Sequence, residues 1–287
     1  MERIKNISLP GGASARPILT DVFLPGAGKR RPVIVYAHGF NGFKDWGGMD
    51  RIAEAFAEAG FAFVKFNFSH SGTTAAQPEE FADPEAYGLN SYTKELHDLE
   101  VVLDWVSNPA NSFAADFDAT RIGLIGHSRG GGIVLLKAAE DKRVKAVSTW
   151  ASVAECKTPW GSWSEEKLRE WKQTGVEYIT NGRTGQILPL YYTLHEDFLQ
   201  NRERLDIEKA VRSLKIPLLI VHGTADTSVP IEKAHSLHEW KPDAETFFPD
   251  TDHVFGRKHP WTETDFPEAA TTVVVHTTEF FARALRL

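Results

Sequence analysis

Arg121-Ile-Gly-Leu-Ile-Gly126-His127-Ser128-Arg129-Gly130-Gly-Gly-Ile-Val-Leu-Leu136 is the stretch whose reading decides the fold. A short apolar run ends in Gly126-His127-Ser128-Arg129-Gly130, and a helical pattern follows at once. This is the G-x-S-x-G spacing of a nucleophile elbow, a tight strand-to-helix turn that holds a serine in strained backbone geometry. The turn leaves no room for side chains two positions either side, which explains the glycines. A phosphate cradle would need Gly-Lys-Ser/Thr, and a dinucleotide fingerprint G-x-G-x-x-G; neither order occurs around Ser128.

A serine hydroxyl is a poor nucleophile near neutral pH and needs an imidazole to take its proton. The imidazole in turn needs a carboxylate to fix its tautomer and stabilise the imidazolium. Downstream, Ile216-Pro-Leu-Leu-Ile-Val-His-Gly-Thr-Ala-Asp226 reads as a buried strand entering a loop that carries an acid. Glu245-Thr-Phe-Phe-Pro-Asp-Thr-Asp-His253 reads as a short strand followed by a loop that carries a histidine. Ser128, Asp226 and His253 are therefore the expected triad. Asp250, Asp252 and His259 are nearby alternatives, and Asp226 could also be a simple loop cap. His97, His235, His238 and His276 fall in helical patterns, and no His/Cys/acid spacing indicates a zinc site.

Around the elbow, the strand pattern is one of continuous apolar runs: Val33–Ala37, Ala62–Phe68, Arg121–Gly126, Val144–Trp150, Pro217–His222 and Thr246–Phe248. Such runs suit a parallel sheet covered on both faces. Helical periods lie between them, over Asp50–Ala59, Tyr92–Val106, Ile133–Ala139, Ile231–Trp240 and Glu268–Leu285. Residues 1–30 read as an antiparallel opening, with strands over Arg3–Leu9 and Ala15–Leu24. Alternation of strand and helix predicts an α/β class, a mostly parallel doubly wound sheet. The rhythm breaks between Trp150 and Lys215, where no strand is expected. Aromatic residues and Gly/Pro punctuation there suggest an inserted lid at about 152–212 within a single domain, 1–287.

The chain resembles the α/β-hydrolase superfamily, in its dienelactone-hydrolase-like and serine-aminopeptidase-like esterase branch, which includes cinnamoyl and feruloyl esterases. The resemblance rests on Asp21-Val-Phe-Leu-Pro, His38-Gly39-Phe40, Gly126-His-Ser-Arg-Gly130, His222-Gly-Thr-Ala-Asp226 and Asp252-His253, and so spans nearly the whole chain. It shares the chain order serine, acid, histidine. It implies an oxyanion hole from the backbone N–H of Arg129 and one from the loop after Val33–Ala37, with Phe40 the candidate and Asn41 the alternative. The insertion would roof the pocket, making Trp160, Trp163, Tyr191 and Tyr192 candidates for touching substrate, although packing is the commoner use of such residues. Relatives often carry Phe-Asp-x-Arg-Gly-x-Gly where this chain has Phe66-Asn67-Phe68-Ser69-His70-Ser71-Gly72. Dienelactone hydrolases proper use cysteine at the elbow, so Ser128 argues against that specific activity.

The implied activity is a serine hydrolase acting on carboxylic esters, hydroxycinnamoyl or aryl esters among them, with no cofactor and no metal. Peptidase or amidase, thioesterase and lactone hydrolase activities use the same groups, and a non-catalytic binding role is the reading from another class. A net charge of −7 without a Lys/Arg run argues against nucleic acid as partner. Cys156 is alone, and no apolar run spans a membrane, which together predict a cytoplasmic protein whose partner is a small-molecule ester. A homodimer through the insertion or an edge strand is compatible with the sequence, though no patch is singled out.

Overall fold

A computed structural model describes residues 1–26 and 29–287. Its strands are β1 (Glu2–Leu9), β2 (Ile18–Leu24), β3 (Arg31–Ala37), β4 (Ala62–Phe66), β5 (Phe117–His127), β6 (Val144–Trp150), β7 (Val176–Thr180), β8 (Ile187–Tyr191), β9 (Leu218–Val221) and β10 (Glu245–Phe247). Eight of them form one sheet in the order β1-β2-β4-β3-β5-β6-β9-β10. From β4 to β10 every neighbouring pair is parallel, whereas β2 runs antiparallel to both β1 and β4. The fold is that of an α/β hydrolase.

The helices are α1 (Met49–Glu58), α2 (Pro84–Gly88), α3 (Tyr92–Ser107), α4 (Arg129–Glu140), α5 (Glu165–Thr174), α6 (Thr193–Gln200), α7 (Ile207–Ser213), α8 (Glu232–Trp240) and α9 (Glu268–Ala284). Successive strand side chains point to opposite faces, and the two cores divide the strands accordingly. Val33 and Val35 of β3, with Leu124 of β5, pack with α3, α4 and α7. Ile34 and Tyr36, with Ile125, pack with α1 and α9 on the other face. Burial on both faces is why these strands read as unbroken apolar runs.

Residues 151–217 connect β6 to β9, and the expectation of no strand there is corrected. β7 and β8 pair as an antiparallel hairpin, from Val176 opposite Tyr191 to Thr180 opposite Ile187. Each strand is five residues long, and only Leu188 and Leu190 of β8 are fully buried while their neighbours are partly or wholly exposed. Two short strands with one inward face leave a weak period-2 signal. At the other end of the chain, the antiparallel opening is shorter than expected. A 3-10 turn over Ala13–Ala15 precedes β2, which starts at Ile18. No helix among the described residues is long and apolar enough to cross a membrane.

Candidate active site

Ser128 lies between β5 and α4 with φ 55° and ψ −120°, a conformation side chains other than glycine rarely adopt. Its backbone is tied down on both sides. Its N–H donates to the Trp150 carbonyl at 2.8 Å, and its own carbonyl accepts from Gly131 N at 2.9 Å. The elbow is pressed against the loop after β3. A Cβ at Gly130 would meet the carbonyl oxygens of His38 and Ala37 at 2.4 and 2.5 Å, and one at Gly39 would meet Ser128 Cβ at 2.9 Å. Only glycine permits this approach, and it sets the His38–Phe40 loop directly beside the serine. Arg129 is the first residue of α4, where helical amides have no intrahelical acceptor. Phe40 lies on the wall of the cavity that contains Ser128.

The loops after β9 and β10 are stitched together by Thr224 N to Pro249 O at 2.9 Å and Ala225 N to Thr251 O at 3.0 Å. This brings Asp226 to His253, whose Nδ1 donates to Asp226 Oδ2 at 2.7 Å. The other carboxylate oxygen accepts from the N–H groups of Ser228 and Val229 at 2.8 and 2.9 Å. Burial would raise the Asp226 carboxyl, but the His222 and His253 hydrogen bonds oppose it and hold the group well below the usual carboxylate range. Ser128 and His253 both line a cavity of about 570 Å³, whose walls include Val153, Thr158, Pro159, Val229 and Pro230. Among the described hydrogen bonds none joins the Ser128 hydroxyl to the His253 ring, although both face the same cavity.

Three histidines do work that the sequence does not disclose. His222, fully buried, places Nε2 at 2.8 Å from the Val229 carbonyl and 3.2 Å from Asp226 Oδ2, so the carboxylate is gripped from two sides. His127 presents Nε2 to the His253 carbonyl at 3.0 Å, with the two rings 4.8 Å apart. Burial first, then the nearby His253 and Arg257, lower its basicity well below that of an ordinary histidine, so it stays neutral and can donate that bond. His38 places Nδ1 2.9 Å from the Gly39 carbonyl, and its Nε2 accepts from Phe68 N at 3.3 Å. Burial lowers its pKa to about 4, which keeps it neutral as well.

The unusual segment after β4 also supports this loop. Asn67 Oδ1 accepts from Lys44 N at 2.6 Å, while its Nδ2 donates to Thr73 Oγ1 at 2.9 Å and Pro78 O at 3.0 Å. Asp21, Asp45 and Asp50 bring carboxylate oxygens within 4.8 Å of one another. The Lys65 ammonium sits on all three, and Lys44 on Asp21 and Asp45, so this is an ion-pair knot under the loop rather than a cation site.

The alternatives to Asp226 and His253 lie elsewhere. Asp252 accepts from Val254 N and Gly256 N, and Asp250 faces Thr224 Oγ1. His259 accepts from Gly47 N at 3.1 Å and packs edge-on against Phe43. Of the four aromatics expected at the substrate, Trp160, Trp163, Tyr191 and Tyr192, none lines the cavity that holds Ser128. Trp160 and Tyr192 pack on Trp171 with ring centres 6.1 and 5.2 Å away, and Trp163 packs on it at 5.2 Å. Trp171, fully buried, donates to the Leu190 carbonyl at 2.7 Å, and these rings pack the insertion onto the core shared with α3 and α4. Tyr191 donates to Glu85 at the surface. Gly161 and Ser162 of the same segment do reach the cavity.

Arg129 contributes a side chain as well as an amide. Its guanidinium is buried, stacks 3.9 Å over the Tyr92 ring, pairs with Glu95 at 3.0 Å and lies 3.4 Å from the Thr158 carbonyl. Tyr92 Oη accepts from Thr158 N at 2.8 Å. The cavity wall at Thr158-Pro159 is thus anchored from beneath by α3 and α4.

The BD-FAE family model matches residues 20–241. An uncharacterized protein of Pseudomonas aeruginosa is 32% identical over 134 residues, 46% of this chain but 32% of that protein's length. The chain thus spans well under half of the curated relatives it matches. Among solved structures, the esterase domain of a Rhodothermus marinus protein superposes with a TM-score of 0.65 at 19% identity, covering 99% of this chain and 100% of that one. Est1E of Butyrivibrio proteoclasticus, solved with ferulic acid bound, superposes with a TM-score of 0.69 at 17% identity, covering 98% and 100%.

Proposed function

The chain belongs to the BD-FAE family, and from that premise we propose that it is a serine hydrolase cleaving carboxylic esters through an acyl-enzyme on Ser128. The observation that carries this reading is the clamp of Asp226 on His253 Nδ1 at 2.7 Å, with the ring and the strained serine on one cavity wall. Nδ1–H bound to a carboxylate leaves Nε2 as the basic nitrogen.

Ser128 Oγ attacks the acyl carbon as Nε2 takes its proton. Negative charge builds on the carbonyl oxygen and is met by the N–H groups of Arg129 and Phe40. Collapse expels the alcohol, which receives the proton from the imidazolium. Water then enters, loses a proton to Nε2, and attacks the acyl-enzyme to release the acid and restore Ser128.

Aryl and hydroxycinnamoyl esters fit a cavity of about 570 Å³ walled by Phe40, Val153, Pro159 and Val229, and ferulic acid is what a protein of the same fold holds. The lone, buried Cys156 suits work in the reducing cytoplasm. Initial rates on p-nitrophenyl esters, methyl ferulate and aminoacyl p-nitroanilides test the reading. Ester kcat/KM is expected to exceed that of matched anilides by more than about 100-fold. A preference for the anilides would make the protein a peptidase or amidase instead.

A further inference from the structure

Beside the cavity that holds Ser128 lies a second one of about 540 Å³, between the insertion and α8. The two share Ala154, Glu155, Lys157 and Lys233 as a common wall. On that wall Glu155 is held by both lysines. Lys157 Nζ is 2.5 Å from one carboxylate oxygen, and Lys233 Nζ is 2.9 Å from the other. These two bonds, Lys157's first, hold the Glu155 carboxyl below the usual range, so the trio carries one net positive charge.

The remaining charges of the second cavity, Arg202 against Asp206 and Glu208, balance once Arg212 is counted with Glu208. Asp206 accepts from Lys209 N and caps α7, and Glu208 pairs with Arg212 at 2.9 Å. Arg202 faces no carboxylate among the described ion pairs and only stacks 5.7 Å over Phe198. An ammonium has three donors, and each lysine spends one on Glu155. What remains for a ligand is therefore N–H groups on three cations, above an apolar floor that includes Phe198, Leu205 and Trp240. In a chain of net charge −7, the single positive charge left on the Lys157–Glu155–Lys233 trio, on the wall shared with the cavity of Ser128, selects for the opposite sign.

We propose that the second cavity is a subsite for an anionic group, so that the preferred substrate is an ester whose far end carries a carboxylate or phosphate. The apolar floor takes the connecting chain, and Lys157, Lys233 and Arg202 meet the anion. This rests on Ser128 as the nucleophile. Glu155 acts as the internal competitor: it neutralises part of the charge while the subsite is empty, and the substrate anion shares its lysines when bound.

The test compares p-nitrophenyl hydrogen adipate, with the anion on the acyl side, and 4-carboxyphenyl hexanoate, with it on the alcohol side, against p-nitrophenyl hexanoate and phenyl hexanoate. In the wild type, one anionic ester is expected to have the higher kcat/KM than its neutral match, and which one fixes the side that enters the subsite. Lys157→Met and Lys233→Met should each lower that anionic-to-neutral ratio by about five-fold, the scale of an exposed charge pair. Glu155→Gln should raise it, a direction that damage to the fold does not produce. Added salt should shrink all three effects. Unchanged ratios in the three variants, or a fall with Glu155→Gln, overturn the proposal. Calorimetric binding of adipate separates the two levels. Loss of binding in the lysine variants without any ester turnover keeps the subsite and rejects the serine hydrolase. Turnover with no charge preference and no adipate binding does the reverse.

Discussion

Ser128→Ala is expected to lower kcat on a p-nitrophenyl ester by about 10⁴- to 10⁶-fold, and His253→Ala by a similar factor. The two losses are similar because neither group works alone. An imidazole without the hydroxyl has no acyl carrier, and a hydroxyl without the imidazole stays protonated near neutral pH. The double variant should be little worse than either single one, which separates a catalytic unit from two independent contributors. Neither change should unfold the protein. Ser128 is anchored by its backbone bonds to Trp150 and Gly131, which alanine keeps. His253 is placed partly through its carbonyl, which accepts from His127. Circular dichroism on the same samples reads folding, and initial rates read activity.

Asp226→Asn is expected to lower kcat by about 10³- to 10⁴-fold with a smaller change in KM. The amide can turn an oxygen to only one place. If its NH2 faces His253, Nδ1 must accept rather than donate, the proton moves to Nε2, and the base facing Ser128 is lost. In this protein a second imidazole makes the conflict worse, since His222 also presents Nε2 to Oδ2 at 3.2 Å. A carboxylate serves the two imidazoles on Oδ2 and the Ser228 and Val229 N–H groups on Oδ1 at once, and an amide cannot.

The carboxylate also contributes stability that can be read by titration. Its depressed basicity means that its contribution is present above the ordinary carboxylate pKa of about 4 and is lost as pH falls below it. Unfolding between about pH 4 and 2 should therefore be less steep in Asp226→Asn than in wild type. Urea denaturation at several pH values measures the difference.

The parts of the site that could be read from sequence are those whose constraints are local. Gly126, Ser128 and Gly130 sit in one turn, and a Cβ at Gly126 would meet the Gly130 carbonyl, although Gly130 itself is crowded by the loop after β3. Asp226 and His253 could be placed because each follows a strand, and parallel strands deliver their carboxyl ends to the same edge of the sheet. What the sequence hides depends on which loops meet. His222, His127 and His38 look like incidental histidines until β9, β10 and the loop after β3 come together around Ser128. Asn67 looks like a departure from a familiar pattern, and only the fold places its amide on Lys44 N and Pro78 O.

The insertion illustrates the same limit. Trp160, Trp163 and Tyr192 have the composition of a ligand-gripping lid, but no periodicity tells which way a tryptophan turns in short, irregular pieces. They turn toward Trp171 and join the buried cluster that also holds Leu190, Leu194 and Leu205. Arg129 is the converse. Its amide was the expected contribution, yet its guanidinium holds Glu95 and Tyr92 under the cavity wall.

All of this depends on an activated alcohol at the end of β5. The most direct measurement is peptide mapping by mass spectrometry after treatment with a fluorophosphonate, on native wild type, on heat-denatured wild type and on His253→Ala. One adduct per chain on the peptide carrying Ser128 is the predicted result, with at least about 100-fold slower labelling in the other two samples. Labelling at another residue, or equal labelling of native and denatured protein, would contradict it.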